Sequence, residues 1–280
     1  NKKAKIVAVA NQKGGVGKTT TAINLSASLA KKKKHILLVD SDPQGNASSG
    51  VGVKTKNLPL HLYHAFSSNC TVNQIIIRNS IDKLDIIPSN IDLVAAEIEM
   101  IVFEQREFCL KKILDPLLTL YDYIIIDCPP SLGLLTLNAL TSANSVLIPM
   151  QCEYFAMEGL AQLVHTIRSV KKFFNPSLFV EGLVLTMFDK RNKLTHQVAD
   201  EIKNCGPIGG IYSCLKKSET DWNFVISVDT PVVSVEFMRF LTSQTENYDV
   251  VVPVHHSEKE PLIALYHKNC LPVIENQLAL

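Results

Sequence analysis

The 280-residue sequence has no apolar run long enough to cross a membrane, no C-x-x-C pair and almost no net charge. A transmembrane helix needs about 18 or more apolar residues, so we expect no membrane partner. Its seven cysteines are scattered, and an odd number without a signal peptide indicates reduced thiols in a cytoplasm rather than a disulfide framework. A net charge of +1 leaves any nucleic-acid binding to local patches.

Apolar runs alternate with amphipathic segments along the chain, without an internal repeat or a long linker rich in Gly and Pro. This alternation predicts an α/β fold with a doubly wound, mostly parallel sheet and helices on both faces. The predicted strands are 5–10, 36–40, 84–87, 122–127, 145–149 and 180–187. The predicted helices are 18–31, 92–99, 103–120, 132–142, 156–173 and 193–204. Residues 57–80 are expected to be irregular, with a short surface helix at His61–Phe66.

A Gly-rich loop lies between the first predicted strand and the first predicted helix. Strand, glycine-rich turn and helix are the setting of a phosphate-binding P-loop, in which backbone N–H groups and the helix N-terminus face the phosphates. Lys18 can reach the β- and γ-phosphates, and the Thr19 hydroxyl can hold Mg²⁺. The predicted nucleotide-binding residues are Lys13, Gly14, Gly15, Val16, Gly17, Lys18, Thr19 and Thr20.

Carboxylates follow two other buried strands. Asp40 and Asp42 come at the end of the run His35–Val39, and Asp127 ends the run Tyr121–Ile126. The carboxyl ends of parallel strands meet at the crevice where α/β sheets bind ligands. One of the first pair can face the metal shell and the other an attacking water, while Asp127 is placed to hold Mg²⁺ through water.

The string KGGVGKTT at Lys13–Thr20 resembles the deviant Walker A motif of the ParA/MinD group of ATPases. Together with the two carboxylate strands, it resembles ParA/Soj-type chromosome and plasmid partition proteins. The segments Leu147–Leu160 and Leu183–Arg191 continue this resemblance to about residue 200. It implies a P-loop ATPase that uses ATP and Mg²⁺ and forms a homodimer on binding ATP. It also implies non-specific DNA and a ParB-like centromere-binding protein as partners, in a cytoplasmic, nucleoid-associated protein.

The resemblance also implies residue roles. Lys13 acts on the partner's nucleotide across the dimer, Lys18 binds phosphate and Asp42 orients the attacking water. Thr19, Asp40 and Asp127 serve Mg²⁺, and Thr20 contacts the α-phosphate. Pro129–Pro130 belongs to a nucleotide-sensing switch. Arg191 lies near a position where the family places a DNA-contacting arginine.

The end of the chain departs from that family. The segments Gly206–Tyr212, Asp221–Pro231 and Glu260–His267 resemble the second half of a MobA-type molybdenum cofactor guanylyltransferase. That resemblance implies that Asp229 is a Mg²⁺ ligand. The N-terminal Gly-rich loop of the transferase family is missing from this sequence. We therefore expect a partition-type domain at 1–204 and a partial transferase segment at 205–280, joined by recombination, engineering or fusion with deletion.

Three functions remain open at this point. The chain is an ATP-driven dimer switch, a GTP-binding transferase relative, or an inactive chimera.

Several smaller sequence features have ordinary structural interpretations. His61 and His64 lack an evident third metal ligand, Cys128 fits a core filler better than a nucleophile, and the run Lys31–Lys34 is as compatible with a solvated turn as with a DNA contact.

Overall fold

The structure is a computed structural model that describes residues 3–56, 58–151, 156–187, 191, 215–216, 220–226, 235–246, 248–255, 258–259 and 263–278. The chain divides into two compact units, Asn1–Lys190 and Arg191–Leu280. The predicted domain boundary at 204/205 lies outside the described residues and stays a prediction.

A seven-stranded sheet organises the first unit, in the order β3-β4-β2-β5-β1-β6-β7. The strands are β1 Lys5–Val9, β2 Ile36–Asp40, β3 Ile77–Arg78, β4 Leu84–Ile87, β5 Tyr123–Asp127, β6 Ser145–Gln151 and β7 Phe179–Thr186. All neighbouring pairs are parallel except β3 with β4. The predicted doubly wound, mostly parallel sheet is therefore confirmed, and its six predicted strands are present.

Helices cover both faces of this sheet. They are α1 Lys18–Lys31, α2 Asn46–Gly50, α3 Leu62–Phe66, α4 Val72–Ile75, α5 Leu93–Glu99, α6 Cys109–Leu114, α7 Leu134–Ser142 and α8 Ala156–Phe173. Alternate residues of the central strands enter two separate cores. Leu37 and Ile124 join one core, whereas Leu38 and Ile125 join the other against Ala22 of α1. Both faces of the sheet are buried, which explains why these strands are continuous apolar runs.

Two local predictions were wrong. The single helix predicted over 103–120 is instead α6 with 3₁₀ turns at Arg106–Phe108 and Asp115–Leu117. Gln105 has a φ of 56°, a left-handed conformation that interrupts a right-handed helix. Pro116 has no backbone N–H and so cannot donate the hydrogen bond that a continuing helix needs. The segment expected to be irregular also holds α4 and the antiparallel edge strand β3 besides the expected helix α3.

The second unit contains an antiparallel three-stranded sheet in the order β8-β12-β9. Its strands are β8 Trp222–Ile226, β9 Val250–Val251 and β12 Ile263–His267. A hairpin, β10 Val254–His255 with β11 Glu258–Lys259, and the helices α9 Val235–Thr242 and α10 Leu271–Leu278 complete the described elements. Strand β9 lies at an edge of the three-stranded sheet, and β8 lies within the transferase-like segment Asp221–Pro231.

Several predicted features lie outside the described residues: the helix 193–204, the turn Gly206–Tyr212 and Asp229. Over the ranges that the structure does describe, no helix combines the length and apolar character needed to span a bilayer.

Candidate functional site

The Gly-rich loop joins the end of β1 to the start of α1. Gly15 and Gly17 have φ values of 75° and 84°, in the left-handed region that residues with a Cβ rarely adopt. Gly17 is the N-cap of α1, and Thr21 N donates to its carbonyl at 2.9 Å as the first helical bond. The N–H groups of the first helical turn have no partner within the helix. They are therefore available to an anion in the loop.

Strand β6 and helix α8 hold the first half of this loop. Asn11 Nδ2 donates to the carbonyl of Pro149 on β6 at 2.7 Å, and its Oδ1 accepts from Lys13 N at 3.0 Å. Gln12 Nε2 donates to Gln162 Oε1 of α8 at 2.8 Å. The backbone next to Lys13 is thus fixed by β6 and α8, two elements that follow it by more than a hundred residues.

The second half of the loop is fixed by β7. Thr186 Oγ1, at the end of that strand, donates to the carbonyl of Val16 at 2.8 Å. A Cβ added to Gly17 would lie 3.2 Å from Thr186 Cγ2. Close approach and positive φ therefore both favour glycine at position 17.

Lys18 is nearly buried at the start of α1, with 6% of its surface exposed. Its Nζ donates to the carbonyl of Lys13 at 2.9 Å, across the loop. Burial lowers the pKa of Lys18, while the charges of Asp127 and Asp42 oppose that shift. A poorly solvated ammonium beside free N–H groups attracts phosphate oxygens.

The turn after β2 is built around Asp40, whose side chain is fully buried. Asp40 Oδ2 accepts from Ser48 N at 2.7 Å and from Ser48 Oγ at 2.6 Å, and Oδ1 accepts from Asp42 N at 3.2 Å. Burial raises the pKa of Asp40, and the bonds from Ser48 oppose that rise. Ser89 Oγ also donates to the carbonyl of Asp42. Asp40 therefore fixes the turn that carries Asp42, because strand β2 ends before Asp42.

Gly45 closes the same turn with a φ of 63°, and a Cβ there would lie 2.8 Å from the carbonyl oxygen of Ser89. Asp42 Oδ1 accepts from Gln44 N at 2.9 Å, and the side chain keeps 6% of its surface exposed. Asp42 thus sits in a fixed turn at the carboxyl end of the sheet, on the same edge as the Gly-rich loop.

Asp127 ends β5, directly opposite Asp40 in the parallel register. Its side chain is fully buried, and neither carboxylate oxygen has a hydrogen-bond partner of good geometry among the described residues. Burial raises the pKa of Asp127 to about 7, with a further rise from Asp40 and opposing effects from Thr19 and Lys18. Such a carboxylate is costly unless another group satisfies it.

A hydrated divalent cation fits these oxygens. Mg²⁺ in proteins keeps several waters and takes one or two carboxylates together with phosphate oxygens. The described ranges hold no group of three His, Cys, Asp or Glu side chains arranged as metal ligands. The Thr19 hydroxyl lies close enough to Asp127 to lower its pKa. The structure therefore brings Thr19, Asp40 and Asp127 to one edge of the sheet, and their role in binding metal stays a prediction.

An open cavity of about 500 Å³ borders this site. Its lining residues are Gln12, Lys13, Pro130, Ser131, Leu132, Gly159 and Gln162. The cavity joins Lys13 to the loop after β5. Lys13 is partly exposed and belongs to the lining of this cavity.

Sequence reasoning missed the residues that brace the site. Asn11, Gln12 and Thr186 carry no motif of their own, and Ser48 and Ser89 look like ordinary turn residues. Among the remaining candidates, Arg191 is exposed and belongs to the second unit. His61 is 1% exposed, and its Nε2 lies 3.4 Å from Asp92 Oδ2, which indicates a buried histidine paired with a carboxylate rather than a metal ligand.

Comparison with known proteins gives the family. The profile described as AAA domain matches residues 4–180. The chromosome partitioning protein ParA of Myxococcus xanthus is 54% identical over 199 residues, which are 71% of this chain and 70% of that protein. The sporulation initiation inhibitor protein Soj of Bacillus subtilis is 52% identical over 199 residues, 71% of this chain and 79% of that protein. This chain belongs to the ParA/Soj family of partition ATPases.

A solved structure extends the family match to the fold. Cobyrinic acid a,c-diamide synthase from Mycobacterium smegmatis, with bound ADP and magnesium, is 35% identical and has a TM-score of 0.68. That match covers 80% of this chain and 85% of the other. A second profile, described as MobA-like NTP transferase domain, matches residues 155–279. Both resemblances stated from the sequence are thus confirmed, and the two profiles overlap at residues 155–180.

We expect Thr186→Val to reduce the free energy of unfolding of this ParA/Soj relative by about 1 kcal/mol, because the Val16 carbonyl loses its donor while the side-chain shape is kept. Urea unfolding measures the loss. Thr186→Ser keeps the hydroxyl and should restore most of it. Thr166→Val, at a partly exposed position of α8 where the hydroxyl donates only to the carbonyl of Gln162 in its own helix, is the matched control. Equal losses in the Val and Ser variants at position 186 would contradict a role for this hydrogen bond.

The raised pKa of Asp127 predicts a pH dependence in buffer without Mg²⁺ or nucleotide. The folded protein holds a proton on Asp127 up to about pH 7, whereas the unfolded chain releases it near the ordinary value of 3.8. Stability should therefore fall as the pH rises from about 4 to 7. Asp127→Asn cannot ionise and should lose less stability over this range. Urea unfolding of both proteins from pH 5 to 8 tests this, and parallel curves would show that Asp127 keeps an ordinary pKa.

Proposed function

We propose that this chain is a Mg²⁺- and ATP-dependent ATPase of the chromosome or plasmid partition type, which dimerises on binding ATP. The observation that carries the proposal is the pair of buried, unsatisfied oxygens of Asp127 beside Thr19 and Lys18 at the mouth of the Gly-rich loop. Crystals of the M. smegmatis relative with ADP or an ATP analog and magnesium support this choice of ligands.

In this proposal the backbone N–H groups of Gly14–Thr20 and the Lys18 ammonium bind the phosphates. Thr19 and Asp127 would hold the metal, Asp127 through water, and Asp40 would serve the same metal while it fixes the turn of Asp42. Mg²⁺ held by these residues would supply positive charge that stabilises the phosphates. Asp42 accepts a hydrogen bond from the attacking water and orients it toward the γ-phosphorus. Hydrolysis leaves ADP and phosphate.

Lys13 has a separate role in the proposal. It lines the outer cavity with Gln12 and Leu132, where a second copy of the chain can reach it. Lys13 then neutralises charge on the transferred phosphoryl group of the partner's nucleotide. The dimer binds duplex DNA without sequence preference, with Arg191 as one contact, at the nucleoid of the cytoplasm. A centromere-binding protein of the ParB type stimulates hydrolysis.

The second candidate is GTP binding by a transferase-like segment. Only the profile match over residues 155–279 favours it. The first loop of that transferase family is absent from the sequence, so we propose no transferase activity. Nucleotide preference separates the two candidates, because the partition type requires ATP.

A titration with fluorescent ATP and Mg²⁺, competed separately by ATP and GTP, tests the proposed function. We expect displacement by ATP and loss of binding in Lys18→Ala. Asp42→Ala should keep ATP binding but lose turnover by about 100-fold or more, because the water is no longer oriented. Asp82→Ala, at an exposed turn, is the matched control for both readouts. Displacement mainly by GTP, or normal turnover in Asp42→Ala, would refute the corresponding assignment.

Dimerisation and DNA binding are tested by two further variants. Lys13→Ala should bind ATP as a monomer in analytical ultracentrifugation and lose DNA binding with the dimer. Arg191→Ala should dimerise normally and bind duplex DNA less tightly at low salt, since a phosphate contact weakens steeply with ionic strength. Lys111→Ala is the control. Unchanged DNA binding in Arg191→Ala would remove that residue from the interface.

A further inference from the structure

Ser89 is a fully buried serine in the loop after β4, and the proposed chemistry gives it no role. Its Oγ donates to the carbonyl of Asp42, and its N–H donates to Ser48 Oγ at 3.2 Å. Ser48 Oγ in turn donates to Asp40 Oδ2 at 2.6 Å. Ser89 therefore reaches both carboxylate residues at the end of β2, one through its side chain and the other through its backbone.

The turn that carries Asp42 is shaped by hydrogen bonds among its own residues. Asp42 N donates to Asp40 Oδ1 at 3.2 Å, and Gly45 N donates to the Asp42 carbonyl at 3.0 Å. Gln44 N donates to Asp42 Oδ1 at 2.9 Å. Bonds within a turn fix its shape, but they move with it. The position of the turn relative to the sheet therefore depends on bonds from other elements.

Two such bonds tie the turn to the neighbouring strands. Ser41 N donates to the carbonyl of Asp127, the last residue of β5, at 3.0 Å. The Ser89 hydroxyl, from the loop after β4, donates to the Asp42 carbonyl. In the sheet, β2 lies between β4 and β5, so these bonds hold the turn from both sides. Of the two, the bond from Ser89 acts on Asp42 itself.

Helix α3 supports the loop that carries Ser89. Leu62 N, in the first turn of α3, donates to the carbonyl of Pro88 at 2.9 Å. His61, which is 1% exposed, places its Nε2 3.4 Å from Asp92 Oδ2. The loop is thus attached to α3 on both sides of Ser89. A hydroxyl on a supported backbone can fix its acceptor, as outer residues do for catalytic groups.

Substitution can separate the two bonds of Ser89. Alanine at this position removes the hydroxyl that binds the Asp42 carbonyl, but it keeps the N–H that donates to Ser48 Oγ. The hydrogen bonds from Ser48 to Asp40 are then kept as well. Ser89→Ala therefore changes the support of Asp42 and leaves the support of Asp40 in place.

We propose that Ser89 is a positioning residue for ATP hydrolysis, whose hydroxyl holds Asp42 where it can orient the attacking water. The inference rests on the proposed ATPase function and on the role of Asp42 within it. A group that accepts a proton or a hydrogen bond from the water must lie about 3 Å from it. Displacement of Asp42 therefore slows turnover, whereas the Gly-rich loop still binds the phosphates.

Steady-state kinetics of Ser89→Ala test this role. We expect kcat to fall about tenfold or more, while the KM for ATP with Mg²⁺ changes less than about twofold. Ser142→Ala is the matched control, because Ser142 is also a buried serine whose hydroxyl donates to a carbonyl, that of Asn138 at 2.7 Å within α7. The control should keep both constants. An unchanged kcat in Ser89→Ala, or equal losses in the two variants, would overturn the proposal.

A double variant tests whether Ser89 acts through Asp42. In the Asp42→Ala background, the addition of Ser89→Ala should leave the residual single-turnover rate unchanged, because the carboxylate that Ser89 positions is already absent. A further loss of about tenfold would show that Ser89 affects hydrolysis by another route, which contradicts the assignment.

Amide hydrogen exchange, followed by NMR without nucleotide, tests the positioning itself. In Ser89→Ala the amides of Asp42, Gln44 and Gly45 should exchange about fivefold faster or more, whereas Ser142→Ala should leave them unchanged. Thermal unfolding checks that both variants are folded. Unchanged exchange at the turn would overturn the proposal even if kcat falls. A chain that hydrolyses no ATP refutes the proposed function, while the exchange rates still decide whether Ser89 holds Asp42 in place.

Discussion

The burial of charge at the carboxyl ends of adjacent parallel strands is the constraint on which this molecule depends. Asp40 and Asp127 face each other in register at the ends of β2 and β5, and Lys18 is nearly buried beside them. Removing such groups from water is expensive, and the protein itself satisfies them to different degrees. Asp40 has three donors, whereas Asp127 has none of good geometry among the described residues. The contrast separates a carboxylate that fixes a turn from one available to a ligand.

The Gly-rich loop depends on side-chain hydrogen bonds, because its backbone is not held by regular secondary structure. Glycines with positive φ lose more conformational freedom on ordering than other residues do. The chain compensates with side-chain bonds from Asn11, Gln12 and Thr186, whose partners lie on β6, α8 and the loop itself. Catalytic loops held by a rigid sheet in this way keep their geometry without a regular hydrogen-bond ladder. Through Thr186, this support reaches the last strand of the first unit.

The two family profiles that match this chain overlap near β7, the last strand of the first unit. The AAA match ends at residue 180, the transferase match begins at 155, and the first compact unit ends at Lys190. The shared stretch includes α8 and the start of β7, elements that a doubly wound sheet of either family requires. Residues 155–180 are therefore the stretch that both profiles describe.

The sequence by itself determined six of the seven strands of the large sheet, its mostly parallel class and the position of the glycine-rich turn between β1 and α1, because apolar periodicity and a glycine-rich turn are local signals. It also placed Asp42 and Asp127 at strand ends. It could not find the bond from Thr186 to Val16, which joins residues 170 positions apart, or the break at Gln105, which depends on one backbone angle. Tertiary structure alone decided that Asp40 fixes a turn while Asp127 stays unsatisfied, since only packing fixes which donors reach a buried carboxylate.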